Sequence, residues 1–108
     1  MLNKIINEKM ENTINFNLDE MGSSDIASMH KVIDAYENIP SSDKYIMYGG
    51  TGFNTSSGYV YIALENGVSI CSCFNQSVDY LVTDYDTGDE QFFDTYEEAI
   101  EELENINK

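Results

Sequence analysis

Hydrophobic residues recur at helical spacing in three segments of the chain. In residues 2–14 and 25–38 the apolar positions fall three or four residues apart, and Pro40 follows the second segment. In the third segment the apolar residues cover one arc of a helix and five glutamates cover the opposite arc. Asp94 and Glu97 have the spacing of a capping box at its start. The sequence therefore predicts two N-terminal helices and a C-terminal acidic amphipathic helix, whose apolar arc is Tyr96, Ala99, Ile100, Leu103 and Ile106.

Between these helical segments the hydrophobic spacing changes from 3.6 to 2, which is typical of strands. Alternating runs lie at residues 44–48, 59–65, 68–74, 78–86 and 90–93. Asn66-Gly67 is the strongest hairpin signal, because a type I′ turn needs positive φ at both central residues. A two-residue turn there pairs Ile62 with Cys71 and Val60 with Cys73, which predicts that these four residues share one face.

The order of these elements predicts an α+β fold with an antiparallel four- or five-stranded meander. A chain of 108 residues suits a single domain, and 42% hydrophobic residues suit a folded one. We expect the helices to pack on a sheet face formed by Val60, Ile62, Leu64, Leu81 and Phe92 or Phe93. No signal peptide or membrane span is visible, so the sequence predicts a cytoplasmic protein, in the host cytoplasm if it is phage-encoded.

The formal net charge of −15 is far from the range of roughly 2–8 in magnitude that keeps a small domain soluble. Residues 79–108, called here the acidic segment, hold eleven of the 20 carboxylates and one of the five lysines. Such a field repels nucleic acids and anionic membranes and speeds encounter with basic protein surfaces. The charge therefore predicts a basic protein partner and argues against direct binding to nucleic acid or membrane.

The C-terminal helix keeps its glutamates at some cost to folding. Glu97 and Glu101, like Glu98 and Glu102, form like-charge pairs that each cost roughly 0.2–0.5 kcal/mol. Carboxylates one turn apart lie about 6 Å apart along the axis, comparable with phosphate spacing along a nucleic-acid strand. We therefore predict a partner-binding surface, called the candidate interface, made of Asp84, Asp86, Asp89, Glu90, Glu97, Glu98, Glu101, Glu102 and Glu104.

Other chemical motifs are weak. The segment from Gly49 to Gly52 lacks the Gly-Lys-Ser/Thr ending of a phosphate-binding loop, so it predicts a strand connection with Phe53 exposed at its tip. Residues 84–95 depart from the calcium-loop pattern at positions 6 and 12. His30 is expected on an exposed helix face, and Cys71 and Cys73 are expected to pack as small hydrophobes. The sequence thus predicts no catalytic residue, metal site or cofactor, and not an enzyme.

A small acidic α+β chain that lacks arginine and contains eleven Asn and eleven Ile resembles phage-encoded inhibitors that mimic DNA, especially anti-CRISPR proteins. The resemblance covers size, charge and architecture along the whole chain. It implies that the protein occludes the basic DNA-binding surface of a Cas9-type effector nuclease. A bacterial immunity protein that plugs the active site of a basic nuclease toxin is the alternative. The sequence does not predict the oligomeric state.

Overall fold

Two α-helices pack on one face of a five-stranded antiparallel sheet. The computed structural model describes residues 14–84 and 86–106. The sheet is a meander with its strands in chain order, which confirms the predicted α+β class. The helix predicted at residues 2–14 lies outside the described residues except for Ile14. The elements are α1 (Ser23–Glu37), β1 (Ile46–Asn54), β2 (Tyr59–Leu64), β3 (Val68–Cys73), β4 (Asp79–Asp84), β5 (Asp89–Phe93), α2 (Tyr96–Ile106) and two 3-10 turns, Leu18–Glu20 and Ser41–Asp43.

Helix α1 matches the segment predicted at 25–38 and covers β2 and β3. At its start the Asp25 carboxylate accepts a hydrogen bond from the Gly22 N–H at 3.1 Å, which satisfies one of the otherwise free backbone groups near the helix N-terminus. Val32 is fully buried against the sheet, whereas His30 is exposed as predicted. Neither described helix has the length and apolar character needed to cross a membrane.

The predicted sheet face forms the core, with one exception. Val60, Ile62 and Leu64 are buried under the helices, and Phe93 is half-buried against them. Leu81 is buried too, but it alternates with the core residue Val82 and therefore points to the opposite face of the sheet. The prediction that Leu81 faces the helices was wrong, and Phe92 on the same side as Leu81 is 58% exposed.

The β2–β3 hairpin forms where predicted, with a register one residue away from the prediction. Val60 pairs with Ser72 and Ile62 with Ile70, so three residues, 65–67, connect the strands. The Gly67 N–H donates to the Leu64 carbonyl at 3.1 Å, and φ is +106° at Gly67, a region that favours glycine. This arrangement is a three-residue loop rather than a type I′ turn.

A one-residue change in register moves a strand's side chains to the other face. Cys71 therefore pairs with Tyr61 and Cys73 with Tyr59, and both lie opposite the core rather than beside Val60 and Ile62. Both thiols are free, and burial raises the pKa of the Cys71 thiol to about 11. The prediction that Cys71 and Cys73 share one face with Val60 and Ile62 was wrong.

Strand β1 extends through the glycine-rich segment that the sequence predicted as a connection. Ile46 pairs with Leu64 and Thr51 with Ile62, so Met47–Gly50 form a bulge opposite Ala63. A Cβ on Gly50 would lie 2.6 Å from the Ala63 carbonyl oxygen, so only glycine fits this close approach. Phe53, predicted to be exposed at a loop tip, is half-buried and packs against the core.

Candidate acidic interface

Helix α2 is oriented by its apolar arc, as the sequence predicted. Tyr96 and Ala99 are buried, and Ile100, Leu103 and Ile106 are partly buried against the core. The helix contacts β4 and β5. Because its apolar arc packs on the sheet, the opposite arc with its glutamates faces outward.

The cap of α2 lies one residue later than the predicted pair of Asp94 and Glu97. The Thr95 hydroxyl oxygen accepts a hydrogen bond from the Glu98 N–H at 3.2 Å, and a carboxylate oxygen of Glu98 accepts one from the Thr95 N–H at 3.2 Å. These reciprocal bonds are those of a capping box. The predicted pair was wrong because burial of Tyr96 sets the first helical turn, which makes Thr95 the residue in front of it.

Tyr96 fixes α2 to the rest of the fold. Its hydroxyl donates to an Asp43 carboxylate oxygen at 2.8 Å and accepts from the Asn66 side-chain amide at 2.9 Å. Burial, together with the hydrogen bond to Asp43, raises the pKa of the Tyr96 phenol above its usual value. The negative charge of Glu97 further raises the pKa of both Tyr96 and Tyr80. Because Tyr80 lies on β4, the charge on α2 acts electrostatically on the sheet.

The glutamates of α2 differ in accessibility. Glu97, Glu101 and Glu104 are exposed, whereas Glu102 is half-buried. Glu98 is exposed, but its carboxylate is engaged in the helix cap. A shallow recess of about 200 Å³ between α2 and β5 is lined by Phe93, Glu98, Glu101, Glu102 and Asn105.

The β4–β5 hairpin carries the other four predicted carboxylates. Asp84 is half-buried, and Asp86, Asp89 and Glu90 are exposed. Asp84 pairs directly with Asp89 across the strands, an arrangement of like charges that destabilises a sheet. The Asp84 carboxylate also accepts a hydrogen bond from the Asp86 N–H at 3.0 Å, which orders the turn.

A second recess lies on the other side of α2, between this helix, the β4–β5 turn and the β2–β3 loop. It has a volume of about 280 Å³ and is lined by Glu65, Asn66, Gly67, Thr83, Asp84, Asp86, Leu103 and Ile106. Glu65 is a further carboxylate here that the charge argument missed. Alternate turns of a meander lie at the same end of the sheet, so the topology alone places the β2–β3 and β4–β5 loops, and with them Glu65 and Asp84, at one end.

The structure thus places the predicted carboxylates on α2 and on the β4–β5 hairpin without bringing them into one row, and Glu90, on the same side of β5 as Phe92, points to the sheet face opposite α2. Glu98, Glu101 and Glu102 face the side of β5, and Asp84 and Asp86 face the side of the β2–β3 loop. The two described lysines donate to backbone carbonyls and not to these carboxylates: Lys31 donates to the Asn75 carbonyl at 2.6 Å and Lys44 to the Glu37 carbonyl at 2.8 Å. Within residues 14–84 and 86–106 no group of three or more His, Cys, Asp or Glu side chains is placed to hold a metal ion.

Comparison of the chain with protein-family models, curated proteins and solved structures gives no match in any of the three.

Proposed function

We propose that the protein is an anti-CRISPR-like inhibitor that binds the basic surface of a nucleic-acid-binding protein and blocks DNA binding by polyanion mimicry. A Cas9-type effector nuclease is the proposed target. The observation that carries this proposal is the exposure of acidic side chains on α2 and on the β4–β5 turn, while both described lysines donate to backbone carbonyls and not to these carboxylates. The proposed inhibition is steric and electrostatic, so it requires no catalytic step by this chain and no cofactor.

Glu97, Glu101 and Glu104 are the side chains best suited to replace phosphates. They are exposed and follow one another along α2, with about 1.5 Å of rise for each residue. Arginine and lysine residues that contact phosphates also form strong charge-assisted hydrogen bonds with carboxylates. A row of carboxylates can therefore occupy part of a surface that normally receives a nucleic-acid strand.

The proposal is tested by competition between the protein and duplex DNA for a purified Cas9-type effector bound to its guide RNA. The test variant replaces three exposed glutamates of α2 with glutamine, which preserves side-chain size and helix propensity. We expect its inhibition constant to rise at least tenfold, because each lost contact to a cation contributes around 1 kcal/mol. The variant is Glu97→Gln/Glu101→Gln/Glu104→Gln.

A matched control also removes three negative charges from the net charge of −15, but it removes them from exposed positions outside the acidic segment. If position matters and not charge alone, the control retains inhibition close to that of the unmodified protein. Full inhibition by the α2 variant, followed by full inhibition after neutralising Asp84, Asp86, Asp89 and Glu90, would rule out polyanion mimicry. The control variant is Asp19→Asn/Asp34→Asn/Glu37→Gln.

A further inference from the structure

Strand β5 forms a free edge of the sheet. It pairs only with β4, and within the part of the chain that the structure describes no other strand lies on its outer side. Its first four residues, 89–92, are all exposed. In an antiparallel pair every second residue directs its N–H and C=O away from the partner strand. The outer side of β5 therefore offers a row of backbone donors and acceptors to an added strand.

The charge of this edge selects what can pair with it. Edge strands are commonly protected by lysine, proline or a β-bulge, but β5 contains no lysine or proline, and its register with β4 is regular from Asp89 to Phe93. Both of its charged residues, Asp89 and Glu90, are acidic and belong to the acidic segment with its eleven carboxylates. A second copy of this edge is therefore repelled, whereas a basic strand is attracted.

On the helix side of β5 lies the recess between α2 and β5. Its volume is about 200 Å³, and its lining includes Phe93, Glu101 and Glu102. Neighbouring strands are about 4.8 Å apart, so a strand added to β5 would pass alongside this recess. Side chains that the added strand directs to the helix side would meet carboxylates, which form charge-assisted hydrogen bonds with lysine and arginine.

On the opposite face of the sheet, β5 presents an aromatic ring next to a carboxylate. Phe92 is 58% exposed, and Glu90, two residues earlier in the same strand, points to the same face. A guanidinium group stacks on aromatic rings and also pairs with carboxylates. Arginine therefore suits this face better than lysine, whose ammonium group has no planar surface to stack.

We propose that an extended basic segment of the partner protein pairs with β5 and becomes a sixth strand of the sheet. Its side chains alternate between the two faces, so cationic residues meet Glu101 and Glu102 on one side and Phe92 and Glu90 on the other. In this mode of recognition main-chain hydrogen bonds provide affinity and side chains provide specificity. The proposal rests on the proposed function for the basic character of the partner, but it does not require a Cas9-type effector.

Binding of a labelled peptide, Arg-Arg-Thr-Thr-Arg-Arg-Thr-Thr, to the full chain tests the proposal by fluorescence anisotropy at about 50 mM NaCl. Two further peptides have the same sequence and charge but carry N-methyl groups on either the odd or the even backbone amides. Only one of these two sets of amides faces β5 in a paired strand. We therefore expect one methylated peptide to bind at least tenfold more weakly than the parent peptide and the other to retain the parent's affinity.

Variants of the protein test the side-chain contacts after circular dichroism melting has shown that each one folds. Glu101→Gln/Glu102→Gln should weaken binding of the parent peptide, whereas Asp19→Asn/Asp34→Asn, with the same loss of charge at exposed positions outside the acidic segment, should not. Phe92→Ser should remove any preference for the arginine peptide over the same peptide with lysine in place of arginine. Phe74→Ser is its matched control, because Phe74 is 55% exposed and lies outside β5.

Equal affinities for the parent and both methylated peptides would show that charge alone drives binding, and would overturn strand pairing. Absence of binding up to roughly 1 mM peptide, a range that covers weak association, would overturn it as well. So would a chain of twice the 12.2 kDa mass in sedimentation equilibrium whose β5 edge is covered by a second copy. Selective loss of binding by one methylated peptide, without inhibition of the effector, would support strand pairing and contradict only the proposed function.

Discussion

Asn66 links the β2–β3 loop to the C-terminal helix through its side chain. Its amide donates to the Tyr96 hydroxyl, and its carbonyl oxygen accepts from the Val68 N–H at 3.0 Å. Tyr96 in turn donates to Asp43. The conformation of the loop and the position of α2 therefore depend on each other, although about thirty residues separate Asn66 from Tyr96.

Replacing Tyr96 with phenylalanine should destabilise the fold at neutral pH. The change preserves the ring but removes a hydroxyl that satisfies both Asp43 and Asn66. Loss of such hydrogen bonds typically costs roughly 1–2 kcal/mol. Urea unfolding at pH 7 measures the change, with Tyr45→Phe at an exposed position as the control. Equal midpoints for the two variants would contradict the role assigned to Tyr96.

The unfolding free energy of Tyr96→Phe should also change less at alkaline pH than that of the unmodified protein. Burial raises the pKa of Tyr96 in the folded state above the usual value of 10.0. A raised pKa of this kind stabilises the fold fully below the unfolded pKa, and the stabilisation is lost as pH rises through the folded pKa. The unfolding free energy of the unmodified protein should thus begin to fall above about pH 10, and more steeply than that of Tyr96→Phe.

At the scale of the element, the start of α2 shows that the local sequence allows two capping pairs and that contacts elsewhere in the fold select one of them. Asp94, Thr95, Glu97 and Glu98 offer two overlapping pairs with capping-box spacing. The observed hydrogen bonds use Thr95 and Glu98. The choice between the pairs follows from the burial of Tyr96, which anchors the first turn.

Thr95→Ala should therefore cost about 1 kcal/mol of stability, the usual value for loss of an N-cap side chain. Asp94→Ala should cost far less, because Asp94 is exposed and precedes the cap. Thermal or urea unfolding of the two variants under identical conditions makes the comparison. A larger loss of stability for Asp94→Ala would show that Asp94 and Glu97, the pair indicated by the sequence alone, cap the helix.

At the scale of the whole molecule, the charge is strongly polarised. The acidic segment holds eleven carboxylates, whereas Glu65 is the sole charged residue between positions 45 and 78. Strands β4 and β5 and helix α2 thus form one acidic end, whereas β1 and β2 themselves carry no charged side chain and Glu20 lies beside β1. Self-repulsion within the acidic end opposes folding, so this end is expected to respond most to ionic strength.

Raising NaCl from about 50 to 500 mM should increase the melting temperature of the unmodified protein, because salt screens repulsion between exposed carboxylates. The increase should be smaller for the Glu97/Glu101/Glu104→Gln variant, which already lacks part of that repulsion. The control with Asp19, Asp34 and Glu37 neutralised should keep most of the increase. An equal response from all three proteins would show that net charge, rather than its position, sets the effect.

Much of the secondary structure could be predicted because its signals are local. Apolar spacing identified α1 and α2, and alternation with turn residues identified the hairpins around β2 to β5. Charge can also be read directly from the sequence, which is how the nine carboxylates of the candidate interface were chosen, and their role in binding stays a prediction. Seven of the nine are exposed, and Asp84 and Glu102 are half-buried.

The sequence by itself determined the α+β class, the two described helices and the concentration of charge, because each depends on residues close together in the chain. The tertiary structure decided the register of β2 with β3, since the Asn66 loop is held by Tyr96 on a distant helix. It also turned Leu81 away from the core and brought Glu65 beside Asp84. These features depend on which strands and loops meet in space, and a one-residue change of register alters every one of a strand's contacts without changing its hydrophobic pattern.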